Sequence, residues 1–158
     1  MQIDPIDSIE ILGWDPSLAR HFADLNYTWI IKYFKIEETD RLYLDNPQKM
    51  IIDKGGQILF IKLNDQIAGT VALIPTDPGV WELSKMAIDP MYQGHGLGYR
   101  LGLAAIDAAR AHGAHSVFLE SNTVLAPAIN LYRKLGFVEI PQQESPYERS
   151  NIQMSLKL

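Results

Sequence analysis

The chain has 158 residues, 47% of them apolar and 21% charged, with a net charge of −5 and no cysteine. That length suits one domain, expected over residues 1–158, and the missing cysteines exclude a disulfide framework, a cysteine–zinc site and a cysteine nucleophile. The acidic balance argues against nucleic acid and for small neutral or cationic partners, while the lack of a leader pattern or of ~18 consecutive apolar residues makes the cytoplasm the expected compartment, with no membrane partner.

Residues 8–14 alternate and predict a first strand. Asp15 and Pro16 then predict a capped helix start, followed by Leu18, Phe22, Leu25, Trp29, Ile30 and Tyr33 at near-helical spacing. Residues 37–52 predict a second, broken helical region. Residues 55–75 predict a hairpin turning at Asn64-Asp65, and 80–90 a further strand stopped by Asp89-Pro90. A helix is expected from about 97 to 112, a strand at 116–122, and a helix ending at Gly136. Two strands close the chain. The order β-α-α-β-β-β-α-β-α-β-β predicts an α+β domain with a mostly antiparallel sheet.

Gln93-Gly94-His95-Gly96-Leu97-Gly98-Tyr99 sits between the strand and the helix at 97. Its spacing is neither G-x-G-x-x-G nor a P-loop. Glycines feeding a helix N-terminus nevertheless present free N–H groups and the positive end of the helix dipole, with no Cβ to keep an anion away. A tight turn without ligand is the alternative.

This segment resembles Q/R-x-x-G-x-G/A, the coenzyme A signature of the GNAT superfamily of N-acetyltransferases, and residues 131–137 resemble that family's L-Y-x-x-x-G-F segment. The motifs cover residues 57–138. The resemblance implies a mixed, mostly antiparallel central sheet of six to seven strands with a splay between strands 4 and 5, flanked by about four helices. It implies acetyl-CoA as co-substrate and no metal. The backbone of Met86, Ala87 and Ile88 would pair with the pantetheine arm. Gly94, His95, Gly96, Leu97, Gly98 and Tyr99 would form the diphosphate cradle, and Gln93 would brace the loop. Core packing is the alternative for the Met86 and Ile88 side chains, and an exposed loop position for His95.

Amine attack on a thioester needs a neutral amine, a stabilised oxyanion and a proton for the thiolate. Tyr132 matches the family's acid. Glu82, six residues before Ile88, and Glu120, twelve before Tyr132, compete as base, with Glu82 ranked first and a water chain as a third option. Strand alternation predicts Glu82, Ser84 and Met86 on one face, and Phe118 and Glu120 on one face. Many members carry asparagine where this chain has Leu125. Asn122, three positions upstream, is a candidate substrate-binding residue or, with Thr123, a cap for the next helix.

For the acceptor, Asn26, Trp29 and Tyr33 share a helical side and are candidate pocket residues, with core packing as the alternative. Arg149 is a candidate clamp for a carboxylate, which would suit an amino acid or similar zwitterion. The expected activity is acetyl transfer to the primary amine of a small molecule. A protein lysine or N-terminal acetyltransferase, and an acyl-CoA sensor without turnover, are the rivals. A homodimer stays open.

Overall fold

The computed structural model describes residues 3–4 and 7–158. Met1, Gln2, Pro5 and Ile6, within the opening stretch read for a leader, lie outside the described residues. Strand β1 is Ile9–Leu12. Asp15 caps the helix start as expected, accepting from the Ser17 N–H at 2.8 Å; Pro16 opens a first turn that is 3₁₀, and α1 runs on directly as Ala19–Tyr33. Helix α2 (Glu38–Leu44) and a π-helical turn (Gln48–Ile52) form the broken region. Strands β2 (Gln57–Leu63), β3 (Gln66–Asp77) and β4 (Val80–Ile88) follow as a meander. Then come α3 (Leu97–Ala111), β5 (Ser116–Ser121), α4 (Ala126–Leu135), β6 (Val138–Ile140) and β7 (Ile152–Lys157).

One sheet holds all seven strands in the order β1-β2-β3-β4-β5-β7-β6. Among the described residues, only the β4–β5 pairing is parallel. The apolar stripe of α3, with Leu97, Leu101, Ala105 and Ala109, packs on one face together with Ile129 and Tyr132 of α4. Phe22 and Ile30 of α1, Leu44 of α2 and Ile51 cover the other face against Ile58, Phe60 and Ala72. Each Leu, Ile or Phe among them contributes on the order of 1.5–3 kcal/mol by leaving water, and each alanine less. Among the described residues, no helix is long and apolar enough to cross a membrane.

Two departures from regular pairing shape the centre of the sheet. The β4–β5 ladder holds for three residue pairs and ends at Glu82↔Phe118. Beyond it, β5 keeps β7 as partner out to Ser121↔Ile152, and β4 keeps only β3. The strands therefore part. Just past that point the β3–β4 register shifts between Thr70 and Ala72, and Lys85 sits at φ +53. An extra residue on one strand is a β-bulge, and it reverses the side-chain alternation beyond it. Alternation alone put Met86 with Glu82 and Ser84. Instead Met86 and Ile88 pack with Trp81 and Leu83 on the α3 face.

Candidate active site

The splay opens a cleft of about 360 Å³ between β4 and β5. It runs from the glycine loop to α1 and the segment before β7. Its walls include Met86, Ala87, Ile88, Gln93, Gly94, Gly96, Leu97 and Gly98 at one end. Glu82, Glu120, Tyr132 and Asn122 line the middle; Trp29, Tyr33, Tyr147 and Arg149 line the other end. Asn26, His95 and Tyr99 are not wall residues.

The glycine end is built from backbone. Gly94 and Gly96 take φ of +84° and +79°, and a Cβ built at either would meet nothing within 4 Å. Only glycine adopts this geometry cheaply, and the side facing away from the chain stays open. Gly96 caps α3 without a side-chain partner, so the first N–H groups of the helix have no acceptor among the described residues. The Gln93 amide donates to the Ile88 carbonyl at 3.1 Å and ties the loop to the end of β4. The β4 edge turned away from β3 has no strand partner past Glu82.

In the middle, two carboxylates sit on the face opposite the α3 core. Glu82 ends the β4–β5 ladder, and Glu120 lies two residues beyond its partner Phe118. Burial pushes the Glu82 carboxyl up to about 7; the Glu120 charge adds to the rise and Lys85 opposes it. Glu120 accepts a hydrogen bond from the Ser145 hydroxyl, which in turn accepts from the Tyr147 N–H at 3.0 Å. Tyr132 is 9% exposed and packs edge-on to Phe137. Its hydroxyl has no hydrogen-bond partner among the described residues and the side chain faces the cleft. Burial pushes its pKa up to about 12, two units above an ordinary phenol.

The far end is organised by charge. Asp40, fully buried at the start of α2, accepts from Lys85 Nζ at 2.9 Å and from Arg149 Nη1 and Nη2 at 2.8 and 2.6 Å. Glu37 is 3.3 Å from Arg149 and accepts from the Glu148 N–H at 2.9 Å. Glu37 and Asp40 also form the reciprocal capping box of α2. Arg149 lies over the rings of Trp29, Phe34 and Tyr147, and Lys85 lies over Tyr147 at 4.4 Å. Burial would lift the Asp40 carboxyl, but the Arg149 hydrogen bonds, the Lys85 charge and the Glu37 amide hold it at about 2.

Three acceptor candidates are therefore committed inside the fold. The Arg149 guanidinium is matched by Asp40 and Glu37 rather than presented to a ligand carboxylate. Asn26 is fully buried: its amide donates to the Phe22 and Lys85 carbonyls, and its oxygen accepts from Trp29 Nε1. Asn122 donates to the Arg149 carbonyl at 2.7 Å and accepts from the Val124 N–H at 2.8 Å, an Asx turn just before α4. Trp29 and the half-exposed Tyr33 do reach the cleft. Lys85, Asp40 and Glu37 were missed by sequence reasoning. A lysine inside an apolar strand was the available signal, since a buried ammonium needs a partner.

The pattern of the acetyltransferase (GNAT) family matches residues 23–137. The chain belongs to this family. It is 31% identical over 101 residues to the uncharacterized N-acetyltransferase YvbK of Bacillus subtilis, a match taking in 62% of this chain and 65% of YvbK. The chain thus spans just under two thirds of that relative's length. A GNAT-family acetyltransferase from Staphylococcus aureus shares the fold with a TM-score of 0.85 at 22% identity, over 95% of this chain and 99% of that one. YncA of Salmonella typhimurium, solved with acetyl-CoA, superposes with a TM-score of 0.71 at 20% identity, over 94% and 93%. The GNAT fold accounts for the seven strands and the β4–β5 split.

Proposed function

We propose that the protein is an acetyl-CoA-dependent N-acetyltransferase acting on the primary amine of a small molecule. The observation that carries this reading is the convergence on one cleft of an open β4 edge, a glycine N–H cradle, a carboxylate near neutrality and an unpartnered phenol. The names of YvbK, an N-acetyltransferase, and of YncA with its acetyl-CoA support the same reading.

The residues fit the co-substrate. An extended amide-bearing arm can add to the free edge beside Met86–Ile88, as a strand would. A diphosphate suits the N–H groups of Gly94 to Tyr99 and the α3 dipole. Acetyl-CoA supplies the acetyl group as a thioester. Glu82, with a carboxyl near 7, is half ionised at neutral pH and takes the proton of the incoming ammonium at its carboxylate. Tyr132 keeps its proton, because a phenol at about 12 lies well above an ordinary thiol near ~8.5. It therefore acts as a hydrogen-bond donor from Oη rather than as a full acid. Glu120 is engaged by Ser145, which favours Glu82 as the base.

Thiol release from acetyl-CoA against a panel of amines tests the reading. Release that depends on the amine is expected, together with a raised melting temperature in acetyl-CoA. A melting shift with no release for any amine would leave a binding module; no shift would remove the cradle.

A further inference from the structure

Glu82, Glu120, Lys85 and Arg149 line the acceptor half of the cleft, and the carboxylates of Asp40 and Glu37 stand behind it. Asp40 and Glu37 are used by Lys85 and Arg149, at 2.6–3.3 Å, so those charges cancel within the fold. Glu82 and Glu120 remain. Neither has a cation within salt-bridge distance among the described residues. Both line the cleft on the same side of the sheet, and the unpartnered hydroxyl of Tyr132 faces the same space. One carboxylate is enough for the proton of the reacting amine. The second, Glu120, has only the Ser145 hydroxyl as partner and keeps its acceptor capacity toward the cavity.

A matched guanidinium gives no net attraction to a ligand carboxylate, whereas two carboxylates in a partly enclosed cleft repel one. On the acetyltransferase reading above, we infer that the acceptor is an amine bearing a second positive charge and no carboxylate. An aliphatic diamine or oligoamine fits, with Glu120 as the partner of its distal ammonium. This replaces the amino acid acceptor that Arg149 suggested from the sequence.

Three five-carbon probes differing only at the far end test this: 1,5-diaminopentane, pentylamine and 5-aminopentanoate, compared by kcat/KM for thiol release at pH 8 and low salt. The diamine should exceed pentylamine about tenfold or more, and pentylamine should exceed 5-aminopentanoate by a similar factor. Glu120→Gln should shrink the diamine-to-pentylamine ratio to about the factor of two that two equivalent amines supply. A wild-type ratio no larger than that, or 5-aminopentanoate matching pentylamine, overturns the inference and leaves acetyl transfer standing. A full diamine preference in Glu120→Gln overturns the role of Glu120. Release with none of the three overturns the inference, while release with any other amine of the panel keeps acetyl transfer standing and the acetyl-CoA melting shift reports separately on the cradle.

Discussion

Removing the Asp40 carboxylate tests how the acceptor end is held. In Asp40→Ala, four hydrogen bonds vanish at once: those from Lys85 Nζ, from both Arg149 Nη atoms and from the Glu37 N–H. Among the described residues, Lys85, with a side chain 4% exposed, loses its only salt-bridge partner, and Arg149 keeps Glu37 alone. Deleting one partner of a buried ion cluster costs about 3–5 kcal/mol, and the lost helix cap adds about 1 kcal/mol. For a chain of this length each kcal/mol lowers the melting temperature by about 2–4 °C. The expected fall at pH 7 is thus roughly 8–24 °C, followed by circular dichroism. Adding Lys85→Met should recover part of it, because the methionine leaves no unpaired ammonium. The pH dependence has a definite sign. The Asp40 pKa lies below its ordinary 3.8, so its contribution is fully present above pH 4 and is lost as pH falls toward about 2. The gap between wild type and variant should be constant from pH 5 to 8 and close only below pH 4. A variant melting within 2 °C of wild type, or no rescue by Lys85→Met, would refute the argument that this cluster anchors α2, β4 and the β6–β7 segment.

Glu82→Gln should abolish the rise of kcat/KM with pH that is expected through about 7 in the wild type. Because the folded-state pKa of Glu82 is raised from 4.5 to about 7, wild-type stability falls as pH rises between those values and the loss is complete above the upper one, so the same variant should melt higher than wild type at pH 8. Tyr132→Phe should lower kcat about 10–100-fold while leaving the melting temperature within 2 °C, since no protein hydrogen bond is lost. An unchanged kcat would remove the phenol from the chemistry. Gly96→Ala should cost about 1–2 kcal/mol of stability from its φ of +79° alone and should raise the KM for acetyl-CoA, read by initial rates and thermal melts.

The elements in the sequence were legible because each is written locally. The α3 stripe repeats at helical spacing, Gly136 ends α4 at φ +105, and Asp89-Pro90 stops β4. The glycine loop is also local: Gly94 and Gly96 need their positive φ whatever surrounds them. The bulge at Lys85 was not legible. Nothing in its neighbours announces a non-glycine residue at φ +53, and the groups that secure it come from elsewhere. Asp40 is 45 residues away in sequence, and Asn26, whose amide holds the Lys85 carbonyl, is 59 away. Period-two alternation therefore ran straight through a position where the chain changes face. Arg149 misled for the same reason. Its type and its place in a loop suit a carboxylate clamp, but Asp40, 109 residues upstream, already fills that role.

The two ends of the cleft thus recognise by different means. On the acetyltransferase reading, backbone N–H groups and a strand edge carry no information about what lies beyond the diphosphate and the amides of an extended arm, so the glycine end would fix the donor and stay silent about the acceptor. Discrimination has to come from side chains, and the charges of Lys85 and Arg149 are cancelled before any ligand arrives. What is left to act on an acceptor is the sign of Glu82 and Glu120. If Lys85 or Arg149 lost its partner, that sign would change: Asp40→Ala adds a net positive charge to the acceptor end. The diamine preference should then weaken in whatever fraction of the variant stays folded, with the acetyl-CoA KM less affected, because no residue of the cluster touches the glycine loop.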